Sequence, residues 1–190
     1  MKFFEQEHMY QYDWGTVTTA FLQKYPNNVQ NHIKNIDVID RCINAKEKTV
    51  KLKRIIHLQY FIPKLFRNIF NIDGCGVGIE EIDINLMQKK LTVSTANYTL
   101  SPFVNLTEKC VYFQKEDDDK HTHYKQTTTL DINGFGYMKN FIERAIINTV
   151  REKSKQGICI MNDTIKRIIN DNIHINNHKV YIDSIEKEKK

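Results

Sequence analysis

The sequence predicts an α+β fold in which an antiparallel sheet curls against one long C-terminal helix. Three observations lead there. Seven segments of alternating or β-rich character follow one another with mostly hairpin-length connections. After Asn133-Gly134-Phe135-Gly136 the apolar period changes from two to that of a helix. The length, 190 residues and 22.5 kDa, fits one domain that needs neither disulfides nor metals to bury a core. Consecutive strands closed by a helix, without βαβ alternation, form an antiparallel sheet.

The elements follow in order. Phe3–Met9 is a short strand, and Asp13 caps a helix from Trp14 to about Lys24 with Trp14, Val17, Phe21 and Tyr25 on one face. Pro26-Asn27-Asn28 stops that helix, because proline has no amide proton to donate and asparagine favours turns. Ile33–Ile43 and Thr49–Tyr60 are strands around the polar turn Asn44-Ala45-Lys46. Phe61–Gly78, with Pro63 and three glycines, is too irregular for a strand. Ile79–Asn85, Leu91–Thr99, Val104–Phe113 and Tyr124–Ile132 complete the sheet, with Glu116-Asp117-Asp118-Asp119 in a hairpin loop. Tyr137, Met138, Phe141, Ile142, Ala145, Ile146 and Val150 then recur at helical spacing, and the pattern resumes from Ile158 to Ile169. Residues 1–170 are expected to form the domain, and 171–190 a polar tail that frays.

Composition excludes several classes. Hydrophobic residues are 41% and charged residues 27%, ordinary for a globular domain. No apolar run approaches the roughly 18 residues of a membrane-spanning helix. The start, Met1 to His8, carries charges where a secretory signal has its apolar region, so a cleaved signal is not expected. Cys42, Cys75, Cys110 and Cys159 lie far apart and read as reduced thiols rather than metal ligands. There is no G-x-S-x-G, no H-E-x-x-H and no phosphate-binding glycine loop. His121 and His123 flank Thr122 beside acids, and an exposed turn is a simpler reading than a metal site. Aromatics are not interleaved with bases, which argues against nucleic acid as a partner.

The +5 net charge is uneven. Lys46–Arg67 holds seven bases against one acid, and Lys139–Arg167 holds seven against three. Together they exceed the net charge of the whole chain, so the remainder is acidic. Such asymmetry marks either solvated faces or a surface that meets an anionic partner. Within Thr49–Tyr60, Arg54 sits in the middle of the apolar face made by Val50, Leu52, Ile56, Leu58 and Tyr60. An unpaired arginine there costs several kcal/mol. Two readings remain: a buried salt bridge to Glu80 or Asp37, or an anion-binding guanidinium in a pocket. Lys24, near the core face of the first helix, either snorkels to solvent or reaches a cavity mouth. Bulky apolar groups alternate with cations in Phe61–Phe70, as in a flap that dips into an anionic membrane surface or a loop folded on the sheet.

These residues also carry a resemblance. Glu7-His8, Trp14-x-Thr16-Val17-Thr18-Thr19-Ala20, Gln23-Lys24-Tyr25-Pro26-Asn27, His32-Ile33, Asp37-Val38-Ile39-Asp40-Arg41 and Arg54-Ile55-Ile56 with Pro63 together resemble the PRELI-like family, particularly its slowmo branch. Glu80, Thr95-Ala96-Asn97, Glu108, Tyr112 and Gln126 continue it, and the likeness covers about residues 1 to 169. The resemblance implies a cup-shaped lipid transfer protein of the mitochondrial intermembrane space. Its seven-stranded sheet, long helix and lid loop would enclose a lipid cavity. Its cargo would be phosphatidic acid or phosphatidylserine, its partners an anionic membrane surface and a small helical twin C-x9-C protein. No metal, cofactor or covalent step is implied, so the chain is not expected to be an enzyme.

Carried over by position, Lys24, His32 and Arg54 resemble residues at or near the lipid head group. In the C-terminal helix Lys155 matches the family lysine, with Lys153 as second choice. Ile62, Lys64, Leu65, Phe66, Arg67, Ile69 and Phe70 correspond to the lid. Asn28, Leu58, Phe61 and Glu152 depart from the family pattern; the loss of cations and the added acid bear on which head group is carried. The rival readings are a peripheral adaptor that docks on anionic membranes without internalising lipid, a hydrolase using a His/Cys pair, and a carrier of another apolar ligand such as a quinone.

Overall fold

A computed structural model describes residues 1–59 and 74–188, with side chains described as far as Asn172. Seven strands form one antiparallel sheet: β1 (Lys2–Tyr10), β2 (Ile33–Asn44), β3 (Thr49–Gln59), β4 (Cys75–Asn85), β5 (Lys90–Asn97), β6 (Val104–Lys115) and β7 (Asp118–Ile132). Helix α1 (Trp14–Gln23) follows β1, and a 3-10 turn (Gly136–Met138) leads into the long helix α2 (Lys139–Glu188). The spatial order is β1-β7-β6-β5-β4-β3-β2, so every strand from β2 onward pairs with its sequence neighbour, and β1 returns to pair with β7.

Local chemistry explains the element ends. Asp13 caps α1: its Oδ1 accepts from the Thr16 amide at 3.0 Å, and the Thr16 hydroxyl donates to Oδ2 at 2.6 Å. Burial alone would raise the Asp13 carboxyl, but these Thr16 hydrogen bonds bring it below its ordinary value. Gly134 and Gly136, both at positive φ, let the chain turn from β7 into the helix. The β6–β7 turn is tighter than expected. Only Glu116 and Asp117 lie outside the strands, and β7 begins at Asp118 because its polar start pairs with the end of β6. The residues from Cys75 to Gly78, read as irregular, are strand: cross-strand pairing with Ile56 to Gln59 outweighs the two glycines. Helix α2 continues unbroken past Asn170, where a polar tail was expected.

The concave face packs against both helices. One apolar cluster joins Trp14, Val17 and Phe21 of α1 to Ile82, Ile84, Leu91, Val93, Tyr112 and Tyr124 of the sheet and to Met161 and Ile165 of α2. A second, smaller cluster at the other end joins Leu130 and Ile132 to Ile142, with Ile146 and Ile147 beside them. The expected lid residues Ile62, Lys64, Leu65, Phe66, Arg67, Ile69 and Phe70 lie outside the described residues.

Candidate head-group site

Between the two apolar clusters the inward face of the sheet turns polar. Alternation places Arg54, Glu80, Thr95, Glu108 and Thr128 on that face, and the register sets them side by side on five consecutive strands: Arg54 opposite Glu80, Glu80 opposite Thr95, Thr95 opposite Glu108, Glu108 opposite Thr128. The next row, one inward position along, is Leu52, Ile82, Val93, Cys110 and Gln126. A band of charge and hydrogen-bonding groups thus crosses the inward face between rows that are mostly apolar.

Arg54 and Glu80 form the salt bridge that spacing left open between two acids. They are only 7% and 5% exposed, and Arg54 Nε donates to Glu80 Oε2 at 2.6 Å, with Nη2 against the same oxygen. Asp37, the other possibility, faces outward and meets His57 at 3.1 Å. Lys24, at the end of α1, is half-buried, its Nζ 4.2 Å from the Phe21 ring centre and 5.1 Å from that of Tyr25. Burial lowers its pKa, opposed by the nearby carboxylates Glu80 and Glu108. Among the described residues no acid forms an ion pair with this ammonium.

Glu108 anchors the other half of the band. Gln126 Nε2 donates to Glu108 Oε2 at 2.6 Å and to Ser154 Oγ of α2 at 2.8 Å, while Gln126 Oε1 accepts from the Tyr124 hydroxyl at 2.9 Å. Burial raises the Glu108 carboxyl, against hydrogen bonds from Cys110 and Gln126 and the charge of Lys24. Sequence reasoning met Glu108 and Gln126 only as points of resemblance. The signal that locates them is their parity: both share the inward register of apolar neighbours, as Arg54 does.

His32 stands at the start of β2, half-buried, with Nδ1 shielded from solvent and without a hydrogen-bond partner. Burial lowers its pKa, and the charge of Lys153 on α2 lowers it further. Lys153 is half-buried and reaches Gln156 at 3.3 Å. Lys24 thus lies near the Glu80 and Glu108 carboxylates of the band and Lys153 near His32, while Lys155 faces solvent.

Other features lie apart. A pocket of about 280 Å³ at the β3–β4 end is lined by Lys34, His57, Leu58, Cys75 and Thr99 among others, and by no member of the polar band. His121 Nδ1 sits 2.8 Å from Asp118, with His123 at 4.0 Å, and among the described residues no three His, Cys, Asp or Glu side chains form a metal-binding group. No helix among the described residues is long and apolar enough to cross a membrane.

The comparisons agree with this architecture. Protein slowmo homolog from Dictyostelium discoideum is 25% identical over 162 residues, 85% of this chain and 70% of that protein. Protein UPS2, mitochondrial, from Saccharomyces cerevisiae is 26% identical over 160 residues, 84% of this chain and 66% of that protein, so this chain spans about two thirds of the length of these relatives. Among solved structures, a Thermus thermophilus protein, TTHA0849, superposes with a TM-score of 0.57 at 8% identity, covering 86% of this chain and 97% of the other. The Zhui aromatase/cyclase from Streptomyces sp. R1128 gives 0.55 at 8% identity, over 88% and 95%. At such identities these two share the fold alone. The family match extends over residues 15–172, which takes in the whole polar band. The chain belongs to the PRELI-like family.

Proposed function

We propose that this protein carries one phospholipid, phosphatidic acid or phosphatidylserine, between mitochondrial membranes, working in the intermembrane space with a small helical twin C-x9-C partner. The observation that carries the reading is the polar band. An inward-facing row containing Arg54, Glu80 and Glu108 separates two apolar clusters on one concave face, with Lys24 near its carboxylates and Lys153 next in sequence to Ser154, which Gln126 bonds. A phosphate head group suits the cations, and acyl chains suit the apolar surface, where each buried CH₂ contributes about 0.8 kcal/mol. Membership in the PRELI-like family and the mitochondrial relative from yeast support the setting. The mechanism is binding and release without a covalent step, so the protein is not an enzyme.

Native mass spectrometry of the protein, co-expressed with a candidate partner, tests this. A single bound phospholipid is expected, lost in Lys24→Gln and in Lys153→Gln. These variants are preferred to Arg54→Glu, which would set a second buried carboxylate beside Glu80 and unfold the sheet for reasons unrelated to lipid. A folded, empty protein that still binds anionic vesicles would replace this reading with the peripheral adaptor.

A further inference from the structure

At one end of the sheet several aromatic side chains are exposed. This end holds the start of β1, the β5–β6 loop and the turn from β7 into α2. The β5–β6 loop abuts that turn: the Asn133 amide donates to the Phe103 carbonyl at 2.8 Å, and the Phe103 and Phe135 rings meet edge-on at 6.4 Å. Around this junction Tyr137 is 97% exposed and Phe141, one helical turn on, 68%. Tyr98 and Phe3 are exposed as well. Large apolar groups scattered singly are normal on a surface, but a cluster at one end is not.

The charges around the cluster are layered. Glu143 is buried beneath it and is approached by Lys2 at 3.9 Å, Lys139 at 4.0 Å and the N-terminal ammonium at 3.6 Å, all three about half exposed. Arg144 adds an exposed cation on the same stretch of α2. Asp131, 43% exposed and 3.5 Å from the N-terminal ammonium, is the one outer acid in this set; against it stand Lys2, Lys139, Arg144 and that ammonium, so this end shows an excess of positive charge interleaved with aromatic rings. That combination matches the interfacial region of an anionic bilayer, where Tyr and Phe sit at head-group depth and each Lys or Arg near the surface is attracted.

We propose that this end, led by Tyr137 and Phe141, docks on an anionic lipid bilayer. It is a membrane contact made by the β7–α2 junction itself, distinct from the lid expected at Ile62–Phe70. It rests on the reading that the protein works at membranes, and it names the residues that meet them.

The test is cosedimentation of the full chain with vesicles of phosphatidylcholine, with or without phosphatidylglycerol, a lipid chosen because it is not the proposed cargo. Wild type is expected to bind the mixed vesicles, less so at high salt. Tyr137→Ser with Phe141→Ser should weaken that binding about tenfold or more, and Arg144→Glu about tenfold. Both aromatic side chains are exposed, so far-UV circular dichroism should be unchanged, as should phospholipid retention in native mass spectrometry. In a Tyr137→Trp variant, brominated acyl chains should quench the new indole. Equal vesicle binding by wild type and the double variant, or an unquenched Trp in bound protein, would overturn the proposal while leaving lipid carriage intact. Loss of a wild-type dimer in the double variant, without a change in vesicle binding, would overturn it in favour of self-association. Wild type that ignores the mixed vesicles would overturn it together with the membrane reading.

Discussion

Glu80→Ala removes the partner of a guanidinium that is 7% exposed. Arg54 Nε now donates to Glu80 Oε2 at 2.6 Å, and among the described residues no other acid lies within ion-pair distance. Breaking one side of a buried pair costs about 3–5 kcal/mol, because the remaining charge is left without compensation. In a chain of this size each kcal/mol lowers Tm by about 2–4 °C, so a fall of about 6–20 °C is expected. Lys24 sharpens the expectation, since the same deletion removes a carboxylate that favours its charged form. Arg54→Met with Glu80→Leu removes both charges and fills the space with apolar volume; its stability should return to within about 2 kcal/mol of wild type. Urea and thermal denaturation of the two singles and the double give the coupling energy directly. A Glu80→Ala cost below about 1 kcal/mol, or a double variant that loses as much as the singles combined, would show that the pair is not a compensated buried unit. The restored double variant should still fail to retain phospholipid, which separates the structural role from the binding role.

Glu108 has a raised pKa in the fold, so the native state holds a proton that the unfolded chain releases. Stability of the lipid-free protein should therefore decline as pH rises from the ordinary carboxylate range through the Glu108 value, and Glu108→Gln should remove that slope in pH-dependent denaturation. Lys153→Met should raise the His32 pKa but leave it below the usual histidine value, because burial, the larger cause, remains; NMR titration of the imidazole reads the shift. Asp13→Ala deletes the cap of α1 and should cost about 1 kcal/mol in chemical denaturation, while Asp13→Ser should recover most of it. Gln126→Leu strands Glu108, Tyr124 and Ser154 without their shared partner and should cost about 1–3 kcal/mol or more, with faster amide exchange in α2 around Ser154.

Alternation made the sheet legible, and its misreadings are instructive. The seven strands and their order in sequence follow from period two, yet β4 and β7 begin earlier than pattern suggests because pairing with a formed neighbour carries glycine and polar residues into the ladder. Arg54 stood out as a charge on an apolar face. The choice of Glu80 over Asp37 needed the register of β2, which puts Asp37 outward against Ile55 and His57. The same parity rule exposes Glu108 and Gln126 once it is applied to every strand. The contacts between layers were not legible at all. His32 with Lys153, and Gln126 with Ser154, depend on where α2 lies over the sheet, which no local period encodes.

Pairing of β1 with β7 joins the first strand to the last across more than a hundred residues of chain. Every other strand pair is sequence-adjacent, so the sheet from β2 to β7 is able to zip hairpin by hairpin, whereas β1 finds no strand partner until β7 exists. During synthesis, which proceeds from the N-terminus, the opening segment therefore waits unpaired with an apolar helix attached. The one tryptophan is placed to watch this wait end: Trp14 in α1 is buried and donates its indole proton to the Tyr112 carbonyl of β6 at 3.3 Å. Its fluorescence reports the docking of α1 on the sheet, and circular dichroism reports the hairpins that come before it. A lag between the two signals would date that docking.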